Sequence, residues 1–406
     1  MTPSMNPGTL RNLTTLRGLV LAILLMTLLA LPLTGCSGQQ DGDVLTPNAK
    51  EIKEMAELRQ DYQSMVLQFG VELAPGDRLF VSIPPGSEEC RQFAQELMAQ
   101  AVSAGALNAG IYEQPLLISE MELTDEGLLA GGASTTCYVI IDGTPMGASD
   151  RIKWTQIGVA TQNWADQVFS ANGSDAAAVP KDQRVAALWK KIYQCSGLWP
   201  FDQEENPVLV PGADYWSKQK DYLTGFSSYL NETVWTDMVM ETASGTALHV
   251  PMDQSSRFYT ISSLPNEAFY VTPAPQGISG TLVSSAPSQF QGQDIEGITL
   301  TFANGLLTSY DASKGKDMLD SYVGSGDQVT AYRVGLVPIT SYVNQTGLIY
   351  YNDLFDTNRL CSISLVNLTT GQLMPVYFGT ADLEVYGVTA QGFEIQFFQD
   401  GNWIPD

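Results

Sequence analysis

The sequence predicts an α/β N-terminal domain with a mainly parallel sheet, followed by a β-rich α+β C-terminal domain. Three observations carry this. Up to about residue 232, segments with apolar residues at helical spacing alternate with short β-branched runs. From about Val234 the texture changes to short alternating strands. Within that half, Asn304-Gly305 and Asp400-Gly401 each stand between alternating runs, a strong local signal for a two-residue hairpin.

The elements follow in chain order. Residues 1–35 read as a lipoprotein signal peptide, with Arg11 and Arg17 ahead of an apolar run that stops at Cys36. Leu33-Thr34-Gly35-Cys36 matches the bacterial lipobox, in which the cysteine is acylated and becomes the new N-terminus. An uncleaved membrane span is the alternative, but the apolar run is near the lower limit for spanning. Residues 36–48 are a polar tether.

Residues 49–232 form the α/β domain. Ile52, Met55, Leu58, Tyr62, Met65 and Leu67 predict its first helix. A turn and a strand follow in "PGDRLFVSIP". Ser87 then caps a helix whose Glu88 and Glu89 suit its N-terminal dipole. Strands are expected in "ALNAGIYEQ" and "TTCYVIIDG", and helices over most of 180–231. Trp154, Trp164, Trp189 and Trp216 read as packing residues, with room for one of them to line a cleft. Residues 233–406 form the β-rich domain, with one helix near Lys316 to Tyr322.

Charge and motif exclude several functions. The formal net charge is −24, and residues 1–35 contribute only cations, so the remainder is more acidic still. Such a chain repels phosphate backbones, which argues against nucleic acid as a partner. The Pro84-Pro85-Gly86 turn lacks the lysine and glycine spacing of nucleotide loops. Cys90, Cys137, Cys195 and Cys361 have no zinc spacing and read either as disulfides of open pairing or as buried thiols. The single histidine, His249, lies on an expected strand without a nucleophile elbow to partner it, and reads as structural.

Several stretches, in order, resemble the thermophilic-type metallo-aminopeptidases, kin of aminopeptidase T and aminopeptidase S. They include "YQSMVLQFGVELAPGDRLFVSIP", "NPVLVPGADYWSKQKDYLTGFSSYLNET", "ISGTLVSSAPSQFQGQDIEGITLTFANGLLTSYDA" and "FGTADLEVYGVTAQGFEIQFFQDGNW". The resemblance implies an aminopeptidase T-like fold. It also implies a site in which two divalent metal ions, held by carboxylates and imidazoles, activate a water and polarise the scissile carbonyl.

Carried over position by position, that ligand set is replaced. Ala268 stands at the first glutamate, with Glu267 beside it as a weak candidate on the opposite face of an extended segment. Arg333 takes the second glutamate position and Ser362 the histidine. Leu373 and Pro375 replace the closing His-x-Asp, Thr357 stands where the family has another glutamate, and the connection between the last sites is short. Asp237 and Asp356 match family positions near the site.

The expectation is therefore a divergent lipoprotein member of this family, extracytoplasmic and held to the outer face of the bacterial cytoplasmic membrane by acylated Cys36. It has no expected cofactor and no catalytic residues, and it serves as a binding module for a peptide or a cell-envelope partner. Arg333 reads either as a carboxylate anchor or as an internal ion pair with Glu267 or Asp327, the latter preferred. The alternative is an active aminopeptidase with two divalent metal ions on rearranged carboxylates Glu267, Asp311, Asp327, Asp356 and Asp382. A homodimeric envelope component is a third reading.

Overall fold

The computed structural model describes residues 49–113, 135–142, 153–199, 212–274, 277–324 and 328–404. Helix α1 (Ala49–Met65) runs into a π-turn (Val66–Gly70), so Tyr62, Met65 and Val66 are all buried against the sheet behind them. Strand β1 (Arg78–Ser82) follows, and then α2 (Glu88–Ser103). Ser87 caps α2 as its sequence position predicts, its Oγ accepting from the Cys90 amide at 3.3 Å. Strands β2 (Leu107–Tyr112), β3 (Thr136–Ile141) and β4 (Lys153–Ile157) come next. The helical stretch α3 (Gln162–Ala171), α4 (Gly173–Ala177), α5 (Arg184–Cys195) and α6 (Gly212–Glu232) completes the first half.

The second half is strand-rich from its start, with β5 (Trp235–Glu241), β6 (Ala247–Pro251), β7 (Phe258–Tyr259), β8 (Ser263–Leu264) and β9 (Phe269–Val271). Strands β10 (Ser279–Val283), β11 (Ser288–Phe290), β12 (Gln293–Ile295), β13 (Thr299–Ala303) and β14 (Leu306–Asp311) lead to helix α7 (Lys316–Val323). Strand β15 (Val329–Leu336), short helices α8 (Tyr342–Gln345) and α9 (Asp353–Thr357), and strands β16 (Ser362–Asn367) and β17 (Leu373–Tyr377) follow. Strands β18 (Glu384–Thr389), β19 (Glu394–Gln399) and β20 (Asn402–Trp403) close the chain. Both expected hairpins form. Asn304 and Gly305, then Asp400 and Gly401, take the positive φ values that a two-residue turn between twisted strands requires.

The first sheet is parallel throughout, in the order β2-β1-β3-β4-β8. Strand β3 is buried at every position, as a parallel strand covered on both faces must be. The second sheet is antiparallel, and β9 joins it through β15. Residues 45–406 form one compact unit with two large apolar cores. The first core takes in Val343, Leu348, Tyr350, Leu354 and Phe355 from the second half. Polar ties reinforce that seam. The indole of Trp164 donates to the Tyr350 carbonyl at 2.6 Å, and Asn172 exchanges hydrogen bonds with the backbone of Ile349.

Cys90, Cys137, Cys195 and Cys361 are all buried and unbridged. Burial pushes the thiols of Cys90, Cys195 and Cys361 up to about 12, which leaves them protonated and inert. Among the described residues no helix is long and apolar enough to cross a membrane. Cys36 and the lipobox lie outside the described residues, as does Asp327.

Candidate functional site

Strand register brings the distant replaced positions together. Tyr270 on β9 lies opposite Gly335 on β15, Gly335 lies opposite Ser362 on β16, and Ser362 lies opposite Tyr377 on β17. One step along, Arg333 faces Ser364, and Ser364 faces Pro375. Directly opposed residues share a sheet face, as do residues two apart on one strand. Arg333, Ser362, Leu373 and Pro375 therefore lie on a single face. Ala268, just before β9, packs in a small cluster with Tyr270 and Val337 and extends the same face. Leu373 is at its exposed rim.

Arg333 dominates this face. Its guanidinium carbon sits 4.4 Å from the centroid of the Tyr270 ring and 5.5 Å from that of Tyr332. A β-bulge between Ala331 and Arg333 makes Tyr332 the extra residue and re-aims the strand at this point. One terminal nitrogen donates to Ser364 Oγ at 3.3 Å, while Nε is buried without a hydrogen-bond partner. Ser362 Oγ is buried without one as well. It lies 2.9 Å from where a Cβ on Gly335 would stand, and the Tyr270 ring lies 3.1 Å from the same point.

The expected ion pair between Arg333 and Glu267 does not form, because Glu267 is committed elsewhere. Its Oε1 accepts from the Tyr342 amide at 3.0 Å and the Tyr215 hydroxyl at 3.4 Å, and Oε2 accepts from the Val343 amide at 3.3 Å. Its own amide donates to Asn358 Oδ1 at 2.7 Å. Burial pushes this carboxyl up to about 7, against the pull of the amides and of Tyr215. Glu267 is thus a buried clasp between its loop, α6 and the start of α8.

The other rearranged carboxylates are also spoken for or dispersed. Asp356 accepts from the amides of Tyr350 and Asn352 and from Arg359 Nε at 3.3 Å, while burial raises its carboxyl above the ordinary range. Asp311 is exposed and bonds the Ala312 amide, and Asp382 is exposed and accepts from the Ala243 amide. Among the described residues no three His, Cys, Asp or Glu side chains converge as a metal site. The donor chemistry agrees: a methyl, a guanidinium, a serine hydroxyl, a leucine and a proline do not fit a pair of divalent cations, and the guanidinium repels them.

His249 lies on β6 with its side chain 59% exposed, its Nδ1 3.0 Å from Asp237 Oδ2. It is a surface pair across β5 and β6, remote in register from β15 and β16. Trp164, Trp189 and Trp216 are core residues. Trp154 does line a cleft, of about 320 Å³, together with Trp216, Lys153, Lys220, Ser262 and Asn266. Lys153 is paired there with Asp77 and Lys220 with Glu72, and none of the replaced positions borders that cleft. Sequence reasoning missed Tyr270, Ser364 and Tyr215, whose roles depend on long-range pairing with no local signature.

The sequence profile of the family described as thermophilic metalloprotease (M29) matches residues 144–372. The chain is 27% identical over 290 residues to aminopeptidase AmpS of Bacillus subtilis (strain 168), covering 63% of this chain and 66% of that protein. It is 24% identical over 417 residues to aminopeptidase 2 of Geobacillus stearothermophilus, covering 84% and 96%. Among solved structures, wild-type AmpT from Thermus thermophilus superposes with a TM-score of 0.65 at 18% identity, over 88% of this chain and 99% of that one. That likeness bears on the fold: a parallel α/β half joined to a β-rich half is an aminopeptidase T-like architecture.

Proposed function

The chain belongs to the thermophilic metalloprotease (M29) family, and from that premise we propose that it is a binding module that keeps the fold of its peptidase relatives without their metal chemistry. One observation carries the reading. At the centre of the face where the replaced positions converge stands Arg333, a fixed cation stacked on Tyr270. Hydrolysis of the kind the family name implies needs ligands for divalent ions, and a cation built into their place works against it. The face keeps polar groups suited to holding a ligand rather than cleaving one. Leu33-Thr34-Gly35-Cys36 supports lipid anchoring through Cys36 on the outer face of a bacterial cytoplasmic membrane.

The test is amino-acid release. Full-length protein in detergent, incubated with unblocked peptides and with cobalt, zinc, manganese or magnesium in turn, should release nothing above a metal-only blank. Release that a chelator abolishes would instead make the chain an aminopeptidase with rearranged carboxylate ligands.

A further inference from the structure

Resting on the non-peptidase reading, we propose that the Arg333 face is a carboxylate site that holds the free C-terminus of a peptide. The relatives bear the name aminopeptidase. On this chain a guanidinium stands where the resemblance places a metal-binding carboxylate, which reverses the charge the site offers. A planar guanidinium fork matches a carboxylate with two parallel hydrogen bonds. Stacking on Tyr270 fixes the plane of that fork, so little ordering is left for the ligand to impose.

The surroundings fit the same ligand. The guanidinium meets only the hydroxyls of Ser364 and Tyr259 as side-chain hydrogen-bond partners, and the buried Nε has no partner. Among the described residues no carboxylate pairs with Arg333. Asp353, exposed at the start of α9, feels its field without an ion pair, and Asp356 is taken by Arg359. The groups directly around the guanidinium are the rings of Tyr270 and Tyr332 and the hydroxyl of Tyr259, to which it donates a hydrogen bond. On the same face, opposite Gly335, Ser362 Oγ is a buried hydroxyl with no partner, and Ser362 and the Tyr270 ring close over Gly335 so tightly that a Cβ there would stand 2.9 Å and 3.1 Å from them. A half-buried guanidinium with an unpartnered Nε, on the same sheet face as an unpartnered hydroxyl donor, offers an α-carboxylate donors of both kinds. In so acidic a chain, a guanidinium with no ion pair among the described residues is a local exception.

The experiment measures binding of fluorescent tetra-alanine peptides to the full-length protein in detergent, with amino-acid release followed in the same samples. The free-acid peptide should bind, the C-terminal amide should bind about tenfold more weakly or worse, and N-acetylation should change nothing. Arg333→Gln should lose the preference for acid over amide while melting at the wild-type temperature. Arg333→Lys should recover it only in part, since an ammonium cannot fork. Equal binding of acid and amide, sensitivity to N-acetylation, an unchanged preference in Arg333→Gln, or no binding at all would overturn the proposal. So would an amidated peptide ending in aspartate that binds as well as the free acid, because that assigns the site to side-chain carboxylates. Turnover in any sample sinks the underlying non-peptidase reading, whereas indifference to the C-terminus without turnover sinks this proposal alone.

Discussion

Replacing Phe355 with alanine should lower the unfolding free energy by about 3–5 kcal/mol, the usual cost of emptying a buried aromatic site. Phe355 is fully buried in the first core although it comes from the second half of the chain. Its ring centroid lies 5.3 Å from that of Trp164 and 4.8 Å from that of Tyr350. Gly158 leaves it room, since a Cβ there would stand 2.5 Å from the Phe355 ring. Collapse into the void is resisted on three sides. Trp164 is tied to the Tyr350 carbonyl, Asn352 caps α9 and also donates to Asp142 at 3.1 Å, and Asp356 holds the turn before α9. Urea denaturation of Phe355→Ala measures the loss, and a change under about 1 kcal/mol, at the level of an ordinary surface substitution, would show that α9 is not held by this core.

Stability should fall as pH rises from about 5 to about 8, and Glu267 should account for a large part of the fall. Burial lifts its carboxyl from an ordinary 4.5 to about 7. The folded state therefore binds the Glu267 proton more tightly than the unfolded state does. Below the unfolded value both states are protonated and nothing is lost. Between the two values the unfolded state gives up its proton while the native state keeps it, so unfolding becomes progressively more favourable. Above about 7, where the native carboxyl ionises too, the full cost is present, about 3 kcal/mol. Asp142 acts in the same direction, being pushed by burial to about 7 while Asn352 and Val159 pull it back. Chemical denaturation at pH 5 and pH 8 reads the difference directly. Glu267→Gln should flatten the slope by about one proton, because a neutral amide still accepts from the Tyr342 amide but has no charge to desolvate. A wild-type profile that rises over this range would contradict the clasp described for Glu267.

Much of the fold was legible in the sequence where the signal was local. Ser87 announced its helix, and Asn304-Gly305 and Asp400-Gly401 announced their hairpins, because a cap or a left-handed turn is fixed by a few adjacent residues. Helices α8 and α9 were not foreseen, since four and five residues are too short to show a helical period. The candidate site was legible only as a set of replaced letters. That Ala268, Arg333, Ser362, Leu373 and Pro375 share a face follows from the register of four strands, which no local pattern encodes. Glu267 was misjudged as a partner of Arg333 for the same reason. An arginine on a strand invites an ionic partner, but the bulge at Tyr332 sets it beside Ser364 and over Tyr270. Glu267 meanwhile finds the Tyr342 amide 75 positions away.

Metal content per chain tests the central claim most directly. Full-length protein in detergent is incubated with manganese, cobalt, zinc and magnesium in separate samples, dialysed, and measured by elemental mass spectrometry. The account predicts stoichiometry near zero for every ion, with Arg333 holding the space as a fixed cation. Retention of about two ions per chain, the complement of a two-metal hydrolase, would contradict it.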